Sequence, residues 1–124
     1  MTTDSTSAPD CLRQSLIEIA VESWRFSRLV VRMMARLDAG EANRYVSQLR
    51  YFHRKLDESL ETAGLKLVNV EGHPFDAGMA ASPLNLNDFA PDDNLLVEQM
   101  VEPIIMGPEG LVRTGTVMLR KIQS

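Results

Sequence analysis

The stretch "AGLKLVNVEGHPFDAGMAA", residues 63–81, decides how this chain divides. A helical pattern of apolar residues runs up to Gly64 and stops there. The alternation of Leu65, Leu67, Val68 and Val70 that follows is the period of a strand. Then comes Gly72-His73-Pro74-Phe75-Asp76, a dense cluster of turn-forming residues. The long apolar runs before the stretch carry a helical period, and those after it an extended one.

Working back from Gly64, a helix is expected over roughly residues 41–63, because Tyr45, Leu49, Phe52, Leu56, Leu60 and Ala63 fall on one face. Gly64 then sits where a helix terminates in a left-handed residue at little cost. "DAGE", residues 38–41, reads as a short turn. Upstream of it, residues 11–37 hold Leu12, Leu16, Ile19, Ala20, Trp24, Val30, Val31, Met34 and Leu37 at three- and four-residue steps, with no Gly or Pro between. That predicts a helix of about seven turns. Ile17, Val21, Phe26, Leu29 and Met33 widen its apolar arc beyond what one partner helix covers. A line through Glu18, Glu22, Arg25, Arg28, Arg32 and Arg36 stays polar. Residues 1–10 read as a floppy tail too poor in bulky apolar side chains to order itself, with Asp10 placed to cap the first helix.

Two helices joined by a short turn make an antiparallel hairpin, and a lone hairpin leaves the first helix largely uncovered. Either two copies dock as a four-helix bundle, or the C-terminal half folds back over the helices. The first arrangement is the expectation, with Leu16, Ile19, Trp24, Val31, Met34, Leu49, Phe52 and Leu56 as the dimerisation residues.

Downstream, residues 95–101 and 111–119 suggest two further strands, and Gly107-Pro108-Glu109-Gly110 a turn of a β-hairpin with Pro103 at an edge or bulge. Residues 71–94 read as connection, pinned by Phe75, Leu84, Leu86 and Phe89. The expected fold class is therefore α+β: an N-terminal antiparallel helical hairpin over residues 11–64, forming a four-helix bundle in a homodimer, then a small all-β head over residues 65–124.

At 124 residues the chain suits one ordinary domain, and 44% apolar with 24% charged residues is a globular composition. A net charge of -4 gives no reason to expect a nucleic-acid partner. The single cysteine, Cys11, excludes an internal disulfide, and no apolar run reaches bilayer-spanning length. With no basic start or apolar centre in "MTTDSTSAPD", a cytoplasmic location and no membrane association are expected.

The order of parts resembles the GrpE family, the nucleotide exchange factors of DnaK-type heat-shock chaperones. Gly64 matches the family's glycine at the end of the second bundle helix, and Gly72, Pro74, Phe75 and Asp76 match its G-x-P-F-D turn. Leu96, Val97 and Glu98 resemble the V-V-E opening its next strand, and Arg113 and Val117 the R-x-x-x-V of its closing strand. The resemblance spans roughly residues 12–122. It implies a homodimer whose β heads enter the ATPase domain of a DnaK-type chaperone and promote ADP release, without enzyme chemistry and without cofactor or metal. The residues expected to meet the chaperone are Pro74, Asp76, Met79, Glu98, Met106 and Arg113.

The chain also departs from the family pattern. The long paired helix preceding the family's bundle has only a tail of about ten residues in its place, so functions of that stalk are expected to be missing. Ala80, Ala81 and Ser82 fall where the family carries His-Glu-Ala, Ala77 and Gly78 replace Pro-Asn, and Pro103 replaces a glycine. A diverged or minimal member is implied, or else a dimeric adaptor that kept the fold and lost exchange.

The ordinary reading of each residue stands beside the functional one. Asp76 is expected to cap its own turn, and Phe75, Met100, Ile104, Ile105 and Met106 to fill the head core. Arg113 is as well suited to a local ion pair as to an acidic partner. The arginine stripe, interleaved with Glu18 and Glu22, reads as a solvated face. His53, His73 and Cys11 lack companions at metal-ligand or catalytic spacing.

Overall fold

A computed structural model describes residues 8–122. The expectations for residues 1–7 and 123–124 lie outside the described residues. Helix α1 spans Ala8–Met34 and α2 spans Ala39–Thr62. The first helix begins earlier than the sequence suggested. Pro9 fits the first turn, where its missing N–H has no intrahelical partner to lose, and Asp10 lies within that turn beside the positive end of the helix dipole.

Its C-terminus comes earlier too, at Met34, because tighter bonds from the N–H groups of Arg36 and Leu37 to the carbonyls of Met33 and Met34 close the last turn. Asp38 then caps α2: its backbone is extended and its Oδ1 accepts from the Glu41 N–H at 2.9 Å. "DAGE" is thus the start of a helix rather than a separate turn. At the far end Gly64 adopts φ 76° and donates to the Glu61 carbonyl, which ends α2 where the glycine predicted.

Within the hairpin, Ile17, Ala20, Val21, Trp24 and Ser27 form the buried stripe of α1. Ser27 disposes of its hydroxyl by donating to the Trp24 carbonyl at 2.7 Å. The indole of Trp24 packs edge-on against the His53 ring of α2, with centroids 6.1 Å apart, and the Arg28 guanidinium lies 5.0 Å from its centroid.

The chain parts into two compact units between Gly64 and Leu65. The second holds six strands: β1 (Lys66–Val68), β2 (Ala81–Pro83), β3 (Leu95–Glu102), β4 (Ile104–Gly107), β5 (Gly110–Arg113) and β6 (Gly115–Lys121), with one 3-10 turn at Leu86–Asp88. They form two three-stranded sheets, ordered β1-β4-β5 and β2-β6-β3. All neighbours are antiparallel except β2 and β6, which run parallel.

The expected terminal hairpin is present but bent into two. From Glu102 the chain crosses at buried Pro103 from the second sheet to the first, and it returns between Arg113 and Gly115. The predicted strand 111–119 is therefore two strands, and Pro103 occupies a corner between sheets. Gly115 makes the corner possible, since a Cβ there would lie 2.9 Å from both the Glu102 carbonyl oxygen and Ile104 Cγ1. Strand β2 was not foreseen in the segment read as connection.

The head core is built from Val97, Met100, Ile104, Ile105, Val117 and Leu119. On β6 the buried residues alternate strictly, as a half-covered strand should. On β3 the phase shifts, because register breaks after Val97 and after Met100 insert extra residues opposite β6.

Candidate functional site

The G-x-P-F-D segment is not a free loop. Residues 72–75 run beside β3 in an antiparallel manner: Gly72 N–H donates to the Val97 carbonyl, Val97 N–H to the His73 carbonyl, and Phe75 N–H to the Leu95 carbonyl, at 2.8 to 2.9 Å. Gly72 takes φ 85°, a conformation natural to glycine, and Pro74 has no N–H to leave unpaired at this edge. The segment covers the side of β3 that β6 does not. Glu71, just before it, reaches across with a carboxylate that accepts from the Met100 N–H at 2.7 Å.

Asp76 holds its own turn, as expected. Its Oδ1 accepts from the Gly78 N–H at 3.0 Å, and its carbonyl accepts from the Met79 N–H at 2.9 Å. The side chains of Pro74 and Asp76 are exposed, and Met79 is half-buried. Glu98 is exposed at the first irregularity of β3, the kind of place where a bulge re-aims a side chain. Pro74 bridges to Leu96, two residues before Glu98, so the turn and β3 bring these candidates to one part of the head.

Met106 and Arg113 belong to the other sheet, on β4 and β5. Met106 is half-buried opposite Lys66 and Leu111. Arg113 Nη2 donates to Glu102 Oε1 at 3.2 Å, and the Thr116 hydroxyl reaches the same oxygen at 3.3 Å. Of the two roles the sequence left open for Arg113, the local ion pair is therefore realised in the isolated chain. Its buried Nε has no hydrogen-bond partner.

Beside the turn lies a groove of about 700 Å³, lined mainly by Pro74, Phe75, Leu86, Phe89, Leu95 and Ile122. Leu86 and Ile122 were not among the predicted contact residues. The signal for Leu86 was its three-residue spacing from Phe89 in a loop otherwise rich in Asn, Asp and Pro, and Ile122 carried none.

On the hairpin, the predicted dimerisation residues fall into four settings. Trp24 is only 6% exposed, covered within its own hairpin. Ile19 and Phe52 are exposed and, with Phe26, line a groove of about 700 Å³ on one face. Val31, Met34 and Leu49 line another of about 620 Å³ that includes His53. Leu16 and Leu56 are half-buried. Burial of His53 lowers its pKa from the ordinary 6.5; Arg28 adds to the lowering and Asp57 opposes it.

Among the described residues no group of three or more His, Cys, Asp or Glu side chains is placed to hold a metal ion, and no helix is long and apolar enough to cross a membrane. Cys11 is an exposed free thiol. The class defined on structural grounds is an α+β protein with a helical hairpin and a head of two small sheets joined by a bent hairpin. No known protein family, curated protein or solved structure matches the chain.

Proposed function

We propose that this protein is a GrpE-like co-chaperone of the cytoplasm, a homodimer whose β head binds the ATPase domain of a DnaK-type chaperone and promotes ADP release. The observation that carries the reading is the G-x-P-F-D segment locked along β3, with Pro74, Asp76 and Glu98 exposed around it. Exchange of this kind needs no bond chemistry. A partner that binds the open form of a nucleotide cleft better than the closed form shifts its population, by no more than its differential affinity for the two. Such a wedge must resist deformation. The corner at Gly115, the Glu71 carboxylate on Met100 and the pairing of residues 72–75 with β3 all brace the head.

A dimeric adaptor without exchange activity is the second reading. It is favoured by Ala80, Ala81 and Ser82, which hold no charge where the resemblance would place His-Glu-Ala and of which Ala81 is buried in β2. Stopped-flow release of a fluorescent ADP analogue from a DnaK-type chaperone separates the two. Acceleration by stoichiometric protein supports the exchange factor. A complex with unchanged release supports the adaptor, and absence of both complex and acceleration removes the co-chaperone reading.

A further inference from the structure

The groove beside the G-x-P-F-D turn has walls drawn from separate segments. The turn supplies Phe75 to one bank, the loop after β2 supplies Leu86 and Phe89 to the other, and buried Leu95 lies at the base, with Ile122 added just past β6. Leu86 and Ile122 remain 47% and 37% exposed, so apolar wall is left open to water. The loop bank is fixed from within. Asp93 Oδ2 accepts from the Ala90 N–H at 2.9 Å, the Phe89 N–H donates to the Leu86 carbonyl at 3.2 Å, and the Ile122 N–H donates to the Asn94 carbonyl at 2.9 Å. A cleft whose walls hold one another needs little ordering when a ligand enters.

Charge specifies that ligand. From Leu67 to Val112 the chain carries Asp76, Asp88, Asp92 and Asp93, with Glu71, Glu98, Glu102 and Glu109, and neither Lys nor Arg. The four aspartates belong to the groove: Asp93 lines it, and exposed Asp76, Asp88 and Asp92 each stand between two lining residues. The cations nearest along the chain are Arg120 and Lys121, at the end of β6. Lys121 Nζ lies 3.4 Å from Asp93 Oδ1, so one edge of the groove already holds an ammonium. The other three carboxylates outnumber Arg120. A polyanion is repelled by such a rim, and a cationic partner is drawn to it. Carboxylates on both banks of an apolar base call for cations spaced by the width of the groove, which a peptide supplies and a small amine does not.

We propose that this groove binds a short segment of a partner protein in which a bulky apolar side chain stands between arginines or lysines. The apolar group rests on Leu86, Phe89 and Leu95, with cations toward Asp76 on one bank and toward Asp88 and Asp92 on the other. This goes beyond the exchange function and does not rest on it, since neither a dimer nor a nucleotide cleft is involved.

The test is fluorescence anisotropy of a labelled peptide with Phe between two pairs of Arg, titrated with the full chain. Saturable binding is expected, weakened at least tenfold when the peptide's Phe is replaced by Ala and at least tenfold when its arginines are replaced by Glu. Retained affinity for the Ala peptide would show diffuse charge attraction, and retained affinity for the Glu peptide a groove without charge preference; either overturns the inference. Absence of binding at high-micromolar protein overturns it too, as does displacement by phenethylamine at concentrations equal to the peptide's. On the protein, Asp88→Asn combined with Asp92→Asn should weaken binding at least fivefold and Leu86→Ser at least tenfold, with circular dichroism unchanged because all three side chains are exposed. Glu109→Gln, in the turn between β4 and β5, should change nothing. Should Leu86→Ser fail to fold, the amide shifts of the parent protein decide. Titration with the peptide must move Phe75, Phe89 and Ile122, and shifts confined to other residues overturn the site.

Discussion

The side-chain amide of Asn85 acts as one more strand residue beside Leu119: its Nδ2 donates to the Leu119 carbonyl and its Oδ1 accepts from the Leu119 N–H, each at 2.9 Å. Leu84 N–H donates to the Val117 carbonyl just before it, so the amide continues the parallel pairing of β2 with β6 past Pro83. An amide supplies donor and acceptor at once, which no other side chain of that length does at neutral pH. Asn85→Ala strands two backbone groups of a buried residue and should cost about 1–3 kcal/mol. Asn85→Asp keeps the acceptor, loses the donor and sets a carboxylate against a carbonyl, so it should be no milder. Amide hydrogen exchange at Leu119 is the readout; protection equal to that of the parent protein in both variants would refute the clamp.

Gly115 and Gly78 make a matched pair of substitutions. At Gly115 a methyl group meets a backbone oxygen and an Ile104 methylene at 2.9 Å, neither of which can move without opening the corner between the sheets. Gly115→Ala should destabilise by about 1–3 kcal/mol, the ordinary cost of overpacking. At Gly78 the same methyl meets only the Asp76 carboxylate, at 3.6 Å, and Gly78→Ala should be close to neutral. Urea titrations of the two variants giving equal midpoints would contradict this account of the corner.

The helices were legible because their period repeats over many turns, and Gly64 could be placed because only a left-handed residue ends a helix in that way. Strand β2 was not, since Ala81-Ser82-Pro83 has neither alternation nor β-branched residues and owes its form to β6, far along the chain. The irregularity in β3 is likewise braced by a carboxylate 29 residues upstream, a relation that no local pattern carries. In α1 the sequence showed one broad apolar arc. That it splits into two stripes, with Trp24 on the covered one, depends on where α2 lies. The candidate site divides on the same principle: the Asp76 turn is local and was read correctly, while the groove joining Pro74, Leu86, Phe89 and Ile122 draws on separated segments.

His53 makes the hairpin sensitive to acid. Its folded-state pKa lies below the 6.5 of an unfolded chain, chiefly because its half-buried ring, edge-on to Trp24 and Phe52, is costly to charge. A depressed pKa means the unfolded chain binds the proton more readily. The contribution of the neutral ring is therefore fully present above pH 6.5 and is lost as pH falls through the folded-state value. Thermal melts of the parent protein should shift downward through this window, and those of His53→Gln should shift less. Trp24, the sole tryptophan, offers a second readout, because an imidazolium at its edge quenches indole emission: the fluorescence midpoint should fall below 6.5 and vanish in His53→Gln. A midpoint above 6.5, or one that persists in the variant, would assign the titration elsewhere.

Arg113 and Glu102 tie the two limbs of the bent hairpin together, since β5 ends at the first and β3 at the second. Glu102 is the less exposed member, and its Oε1 also takes the Thr116 hydroxyl, so its removal affects two donors. Arg113 is more than a third exposed, which brings solvent screening into the pair and limits its strength. A double-mutant cycle of Arg113→Ala and Glu102→Ala, read by chemical denaturation, should return a coupling of about 0.5–1 kcal/mol. Thr116→Val should cost less than Glu102→Ala, because it removes one of the two donors and leaves the ion pair standing. A coupling of zero would mean that the 3.2 Å contact does not hold the limbs together, and Arg113 would then be available in full for an acidic partner surface.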